Sequence, residues 1–342
     1  MTNKVNFGDV ITAMVTPFKP DADQNVAYDE VASLAKYLIN NGTDTILLTG
    51  STGEAAQLSP LEKWDILLAV RRAVPQARIM VATSDTNTGR AILKAKTAFQ
   101  LGANSILVAV PEYIKPSQQA LFIHFNAIAK AIDGKPMMIY NIPGRTGKEI
   151  YPQTVARLAK ENPNIVGIKQ SLGNMDKVTE LKMLCPPDFQ VYSGDDSLTL
   201  PMLALGANGV VSVMSHLEGQ MIKEMISNFK GGHMFQAQIR NHILHPLFSR
   251  VTMHDHGDDF ANPLPVKEAL YRRKLISSPV ARTLGEMSKG AKRDMGRCLR
   301  AVKEAKEQFY GKEKLPPKKK KINNIKGETC QKRIQQRPDA HR

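Results

Sequence analysis

Ile165-Val166-Gly167-Ile168-Lys169 is a run too short for a helix, apolar on both faces and closed by a cation. A strand apolar on both faces is one buried between two layers, as parallel strands are. Seven more short apolar runs share its character: Val10–Met14, Thr45–Leu48, Arg78–Ala82, Ser105–Val110, Pro136–Tyr140, Gln190–Ser193 and Gly209–Val213. Segments with helical spacing separate them, at about 27–41, 60–73, 88–101, 117–132, 151–161, 174–184, 197–205 and 217–228. Ser59-Pro60 ahead of Leu61-Glu62 predicts an N-cap with proline in the first turn, and Gly42 and Gly102 stand where helix stops are expected. Eight strands, each followed by a helix, predict an α/β fold, the (β/α)8 TIM barrel. A doubly wound sheet is the rival, but no G-x-G-x-x-G or P-loop follows the first strand. In a barrel, the chemistry sits at the C-terminal ends of the strands.

The rest of the chain is read around that barrel. Its 342 residues are 42% hydrophobic and 23% charged, a globular composition. The expected organisation is a catalytic barrel at 1–228, a small helical domain at 229–310 and a basic, disordered tail at 311–342. Helices alone are expected in the second part, interrupted at Asn262-Pro263-Leu264-Pro265. Lys312–Arg342 holds 11 Lys/Arg against 3 Asp/Glu, which is +8 of the net +15. The charge therefore describes the tail more than the fold. Cys185, Cys298 and Cys330 are too few and too scattered for a disulfide framework or a zinc site, as expected for a reducing, cytoplasmic setting. No apolar run approaches a membrane span, and the opening residues lack the pattern of a signal peptide. A secreted, membrane or zinc-finger protein is not expected on these grounds.

The strand ends carry a connected set of groups. After the second strand comes Gly50-Ser51-Thr52-Gly53-Glu54, whose amides and hydroxyls suit a nest for a carboxylate or phosphate, or form an ordinary strand-to-helix turn. After the fifth comes Tyr140-Asn141-Ile142-Pro143-Gly144-Arg145-Thr146-Gly147. It offers a phenol to move protons and a guanidinium to grip a carboxylate, or else a core Tyr and a surface Arg. Lys169 ends the sixth strand, facing the barrel mouth or curling out to solvent. In the mouth, exclusion of water favours the free amine as a nucleophile. The seventh strand ends Ser193-Gly194-Asp195-Asp196, and the eighth lies within Gly206–Val213. A lysine and a 2-oxo acid form an imine, an electron sink that lets the neighbouring methyl carbon lose a proton and become an enamine. Tyr140 would shuttle protons, and the 50–54 nest would hold the carboxylate. Neither metal nor organic cofactor is called for.

In order and spacing, GSTGE, YNIPGRTG, GIK, SGDD and GANGVVSV resemble the dihydrodipicolinate synthase family of class I pyruvate aldolases, which is related to N-acetylneuraminate lyase. The likeness covers about residues 6–310. It implies condensation of pyruvate with L-aspartate 4-semialdehyde in lysine biosynthesis through diaminopimelate, without a cofactor. By the match, Lys169 is the Schiff-base lysine, Tyr140 the central proton-relay phenol, and Ser51 a relay hydroxyl where threonine is usual. Thr52 matches the pyruvate-carboxylate contact, Arg145 the receiver of the semialdehyde carboxylate, and Val211 a pyruvate-contacting backbone position. Gly194 falls where backbone approaches the ligand. Tyr113 matches a relay phenol that reaches into a neighbouring subunit, which implies a homo-oligomer built as a dimer of dimers.

Departures qualify the match. Glu112 replaces a tyrosine often found at the dimer interface. Lys63 and Arg90, with Pro60 and Glu112, fall at positions matching a lysine-inhibition cleft, and their charge would repel an ammonium. Insensitivity to lysine is therefore expected. The alternatives are N-acetylneuraminate lyase or a 2-keto-3-deoxy-sugar-acid aldolase; Arg145 favours the short acidic aldehyde. From another class comes a catalytically silent protein whose Lys318–Lys321 run docks on phosphates. The tail has no aromatic residue to stack on bases, which argues against sequence-selective nucleic-acid binding. His254-Asp255-His256 with Asp258 and Asp259 superficially resembles a metal cluster; in the expected loop it reads as solvated polar surface.

Overall fold

The computed structural model describes residues 5–255 and 257–310. Expectations for the basic tail, for Cys330 and for His256 lie outside the described residues.

The apolar runs form eight parallel strands: β1 (Val10–Ala13), β2 (Thr45–Leu48), β3 (Arg78–Ala82), β4 (Ser105–Ala109), β5 (Met137–Asn141), β6 (Ile165–Gln170), β7 (Gln190–Ser193) and β8 (Gly209–Ser212). They hydrogen-bond in chain order and close on themselves, Val10 standing opposite Val210. Alternation along each strand divides its side chains between two cores. Ile11, Ala13, Leu47, Met80, Leu107, Met138, Tyr140, Tyr192 and Val211 fill the barrel with Phe7. Val10, Ile46, Ile79, Val81, Ile106, Val108, Ile139, Ile168, Val191 and Val210 face the helices.

The helices begin where local chemistry says they should. α1 spans Tyr28–Ile39, α2 Pro60–Ala73, α3 Thr88–Gln100 and α4 Gln118–Ala131. A one-turn helix, α5 (Pro143–Thr146), precedes α6 (Pro152–Glu161), α7 (Met175–Leu184), α8 (Thr199–Ala204) and α9 (Ser215–Lys230). Ser59 makes the full capping box of α2: its Oγ accepts from Glu62 N at 3.2 Å, and its own N–H donates to Glu62 Oε2 at 2.8 Å. Asn87 and Ser117 cap α3 and α4 through their side-chain oxygens. Gly42 and Gly102 follow α1 and α3 with φ of +97°, the left-handed stop a side chain would resist.

Beyond the barrel come α10 (Met234–Phe248), α11 (Leu264–Arg272) and α12 (Lys289–Tyr310). The expectation of helices alone there is corrected by a hairpin, β9 (Met253–Asp255) with β10 (Asp258–Phe260). Its strands are too short and too polar to announce themselves. This hairpin also replaces the loop expected around His254, whose Nδ1 lies 2.5 Å from Asp259 Oδ1 across the two strands. The expected boundary at 228 falls within α9, which continues to Lys230. Leu264, Val266, Ile276, Met287, Met295 and Val302 join the same apolar cluster as the barrel's outer shell. The C-terminal region is thus packed onto the barrel as a continuation of its core. Among the described residues, no helix is long and apolar enough to cross a membrane.

Candidate active site

β5 and β6 bring together the two central groups. Tyr140 and Lys169 are register partners, and the Lys169 Nζ sits 4.2 Å from the Tyr140 ring centroid. Both are buried, Lys169 to 5% exposure and Tyr140 to 7%. Parity explains why. Lys169 follows outward-facing Ile168 and stands beside lumen-facing Tyr140, so it occupies an inward position near the C-terminal end of β6 and its stem rises toward the mouth. The alternative of a lysine curling out to solvent is not what the fold adopts. Tyr192 is also a register partner of Lys169, but its hydroxyl donates to Gly8 O at 2.7 Å. Tyr192 is a core residue.

Gly194 follows β7, where its backbone approaches the lysine closely. A β-carbon there would lie 3.1 Å from Lys169 Cε and 1.8 Å from Ser171 Oγ. The two acids that follow part company. Asp196 is buried and accepts from Ser212 Oγ, from Val213 N at 3.0 Å and from Met214 N at 3.1 Å, tying β7 to the end of β8. Asp195 is half-buried; burial pushes its carboxyl above the usual range, and the Lys169 charge draws it back. Val211 points its side chain into the lumen cluster.

Across the mouth, the loop after β2 presents Ser51, half-buried, and Thr52, buried. Thr52 Oγ1 accepts from Asn262 Nδ2 at 2.8 Å. Glu54, at φ +57°, closes the turn by donating its N–H to Ser51 O at 3.1 Å. Its carboxylate meets Lys267 Nζ at 2.5 Å and the Arg282 N–H at 2.8 Å. Burial pushes the Lys267 amine down to about 8 and the Glu54 carboxyl up, each pulled back by the other. Arg145, in α5, is exposed. Tyr113 is 90% exposed, at φ +68°, with its N–H donating to Thr146 O at 3.2 Å. The single chain therefore gathers Lys169, Tyr140, Gly194 and Val211, sets Ser51 and Thr52 after the strand opposite β6 in the barrel, and leaves Tyr113 and Arg145 exposed.

Sequence reasoning missed Asn262 and Lys267, and it read Glu54 only as the last residue of the 50–54 turn. Asn262-Pro263 was legible as a break between elements, but nothing local signals that its amide meets Thr52. Among the described residues, no group of three or more His, Cys, Asp or Glu is placed to hold a metal ion.

A closed parallel barrel with a buried lysine over a tyrosine at its mouth suits the chemistry of a Schiff-base lyase. The comparisons narrow the class. The profile described as the Dihydrodipicolinate synthetase family matches residues 6–302. A 4-hydroxy-tetrahydrodipicolinate synthase of Synechococcus elongatus is 46% identical over 265 residues, covering 77% of this chain and 86% of its own. One of Desulforamulus reducens is 43% identical over 283 residues, covering 82% and 93%. The crystal structure of DHDPS from Cyanidioschyzon merolae with lysine bound has a TM-score of 0.82 at 39% identity, covering 87% of this chain and 98% of that one. The chain belongs to the dihydrodipicolinate synthetase family, and like those relatives it is an enzyme, a lyase.

Proposed function

We propose that the chain condenses pyruvate with L-aspartate 4-semialdehyde to give 4-hydroxy-tetrahydrodipicolinate, with Lys169 as the Schiff-base lysine. The observation that carries this is the buried Lys169 Nζ held 4.2 Å from the centre of the Tyr140 ring. The amine attacks the pyruvate C2 carbonyl and water leaves, forming the imine. Loss of a proton from the adjacent methyl carbon gives an enamine, which attacks the aldehyde carbon. The resulting alkoxide takes up a proton. The semialdehyde's own amine then displaces Lys169 at C2 and closes the ring. One water is lost overall, and no external cofactor enters.

Tyr140 and the Ser51 hydroxyl carry the protons, and Tyr113 of a neighbouring copy completes the relay. Thr52, with the amides of its loop, receives the pyruvate carboxylate; the backbone at Gly194 and Val211 lies along the bound oxo acid. Arg145 receives the semialdehyde carboxylate, with two parallel hydrogen bonds available to it. The exposure of Tyr113 beside half-exposed Ile114 supports a dimer in which that phenol is covered, and a dimer of dimers above it. The free, buried thiols of Cys185 and Cys298 suit a reducing cytoplasm.

Incubation with pyruvate and borohydride, followed by intact mass and peptide mapping, tests the reading. A pyruvyl adduct on Lys169 is expected, with turnover on aspartate semialdehyde and none on N-acetylmannosamine. A folded protein without the adduct would overturn it.

A further inference from the structure

The loop that presents Ser51 and Thr52 is held by residues more than 200 positions away. Lys267 is fully buried, yet its Nζ is satisfied: it donates to Glu54 Oε1 at 2.5 Å and to Val280 O at 2.8 Å, and lies 4.1 Å from the Phe18 ring centroid. The other Glu54 oxygen accepts from the Arg282 N–H at 2.8 Å, and the Arg282 guanidinium lies 4.4 Å from the same ring. Glu54 itself stands at φ +57°, a left-handed backbone that non-glycine residues seldom keep without outside support. Its N–H closes the turn onto Ser51 O, while Asn262 pins the Thr52 hydroxyl at 2.8 Å. A buried ion pair is a poor way to gain stability, because desolvation of both charges offsets most of their attraction. What it supplies is a single geometry. We propose that Glu54 and Lys267 are positioning residues: their buried pair locks the Gly50–Glu54 turn in the shape that receives the oxo-acid carboxylate, which makes residues 262–282 part of the pyruvate site.

The inference rests on the reading that this turn binds pyruvate, and the experiment separates the two. The rate of borohydride trapping at Lys169 is measured against pyruvate concentration, together with KM for each substrate and kcat. In Lys267→Met, half-saturation by pyruvate should rise about tenfold or more, as loss of one well-placed hydrogen bond to a charged group does. The KM for the aldehyde should move far less. Glu54→Gln keeps one hydrogen bond and should show a smaller rise, so a graded series is expected if Lys267→Met folds poorly. Unchanged half-saturation in a folded Lys267→Met, or in Glu54→Gln should the former not fold, would overturn the positioning role. A proportional loss of kcat at unchanged pyruvate affinity would do the same. No adduct in the wild-type enzyme would instead overturn the underlying Schiff-base reading.

Discussion

Gly194→Ala adds a single methyl group at the most crowded point of the candidate site. The new carbon would lie 1.8 Å from Ser171 Oγ, 2.9 Å from Ser171 Cβ and 3.1 Å from Lys169 Cε. The hydroxyl can rotate away. Ser171 Cβ cannot, because its residue directly follows β6 and its N–H is bonded to Asn141 O at 2.9 Å. Relief therefore comes from moving the end of β6, which carries Lys169. Overpacking of this kind costs about 1–3 kcal/mol of stability. Displacing a nucleophile by about 1 Å costs about 10²-fold in rate. Urea unfolding and steady-state kcat/KM should report both losses. Adding Ser171→Gly removes two of the three close atoms and leaves the one on Lys169. The double variant should regain most of the stability and only part of the activity. If Gly194→Ala keeps kcat/KM within about threefold of wild type, less than 1 kcal/mol of transition-state stabilisation, the assignment of a tight lysine–backbone contact is wrong.

Three further outcomes are expected. Tyr140→Phe retains the ring under the Lys169 amine and loses the phenolic proton, so kcat should drop by about 10²- to 10⁴-fold while the protein remains folded; a drop under tenfold would remove Tyr140 from the relay. His216 is buried, its Nε2 accepting from Val15 N at 3.1 Å and its Nδ1–H donating to Val213 O at 2.7 Å. Burial pushes its pKa down to about 4. An unfolded histidine takes up its proton near pH 6.5, so between these values the unfolded state binds more protons. Its contribution is complete above about pH 6.5 and is lost as the pH falls toward 4, by about 3 kcal/mol in all. His216→Asn should flatten that part of the curve of urea midpoint against pH, and an unaltered slope would refute the assignment. Lastly, Arg90 and Lys94 share the Asp85 carboxylate at 2.9 and 2.7 Å, and the charge of Lys94 bears on half-buried Lys63. That surplus of positive charge should leave activity unaffected by low-millimolar lysine; half-inhibition in that range would contradict it.

The barrel was legible because buried parallel strands are apolar on both faces, a pattern independent of what each strand meets. Thr45–Leu48, Arg78–Ala82 and Gln190–Ser193 agree end for end with β2, β3 and β7. Lys169 was legible for the same reason: a cation closing an apolar strand has few places to go. The one-turn α5 and the β9–β10 hairpin were not, since each is too short for any periodicity to develop. The partners of the 50–54 turn were invisible for a different reason. A lysine and an asparagine in Asn262–Lys267 read locally as solvent-facing groups beside a helix start, and only the docking of that segment on the barrel buries them against Glu54 and Thr52.

The closure of the barrel also sets a timetable for synthesis. β1 finds its second neighbour only in β8, with Val10 opposite Val210, and the hydrogen bonds that staple this seam reach as far: the Thr12 hydroxyl to that of Ser215 at 2.8 Å, the Val15 N–H to His216 Nε2 at 3.1 Å. A ribosome adding about 5–20 residues per second delivers β8 roughly 10–40 s after β1. For that interval the nascent chain displays an apolar strand edge with nothing to pair it, the kind of surface that recruits other chains. The mature enzyme, closed on itself, keeps no trace of that exposure.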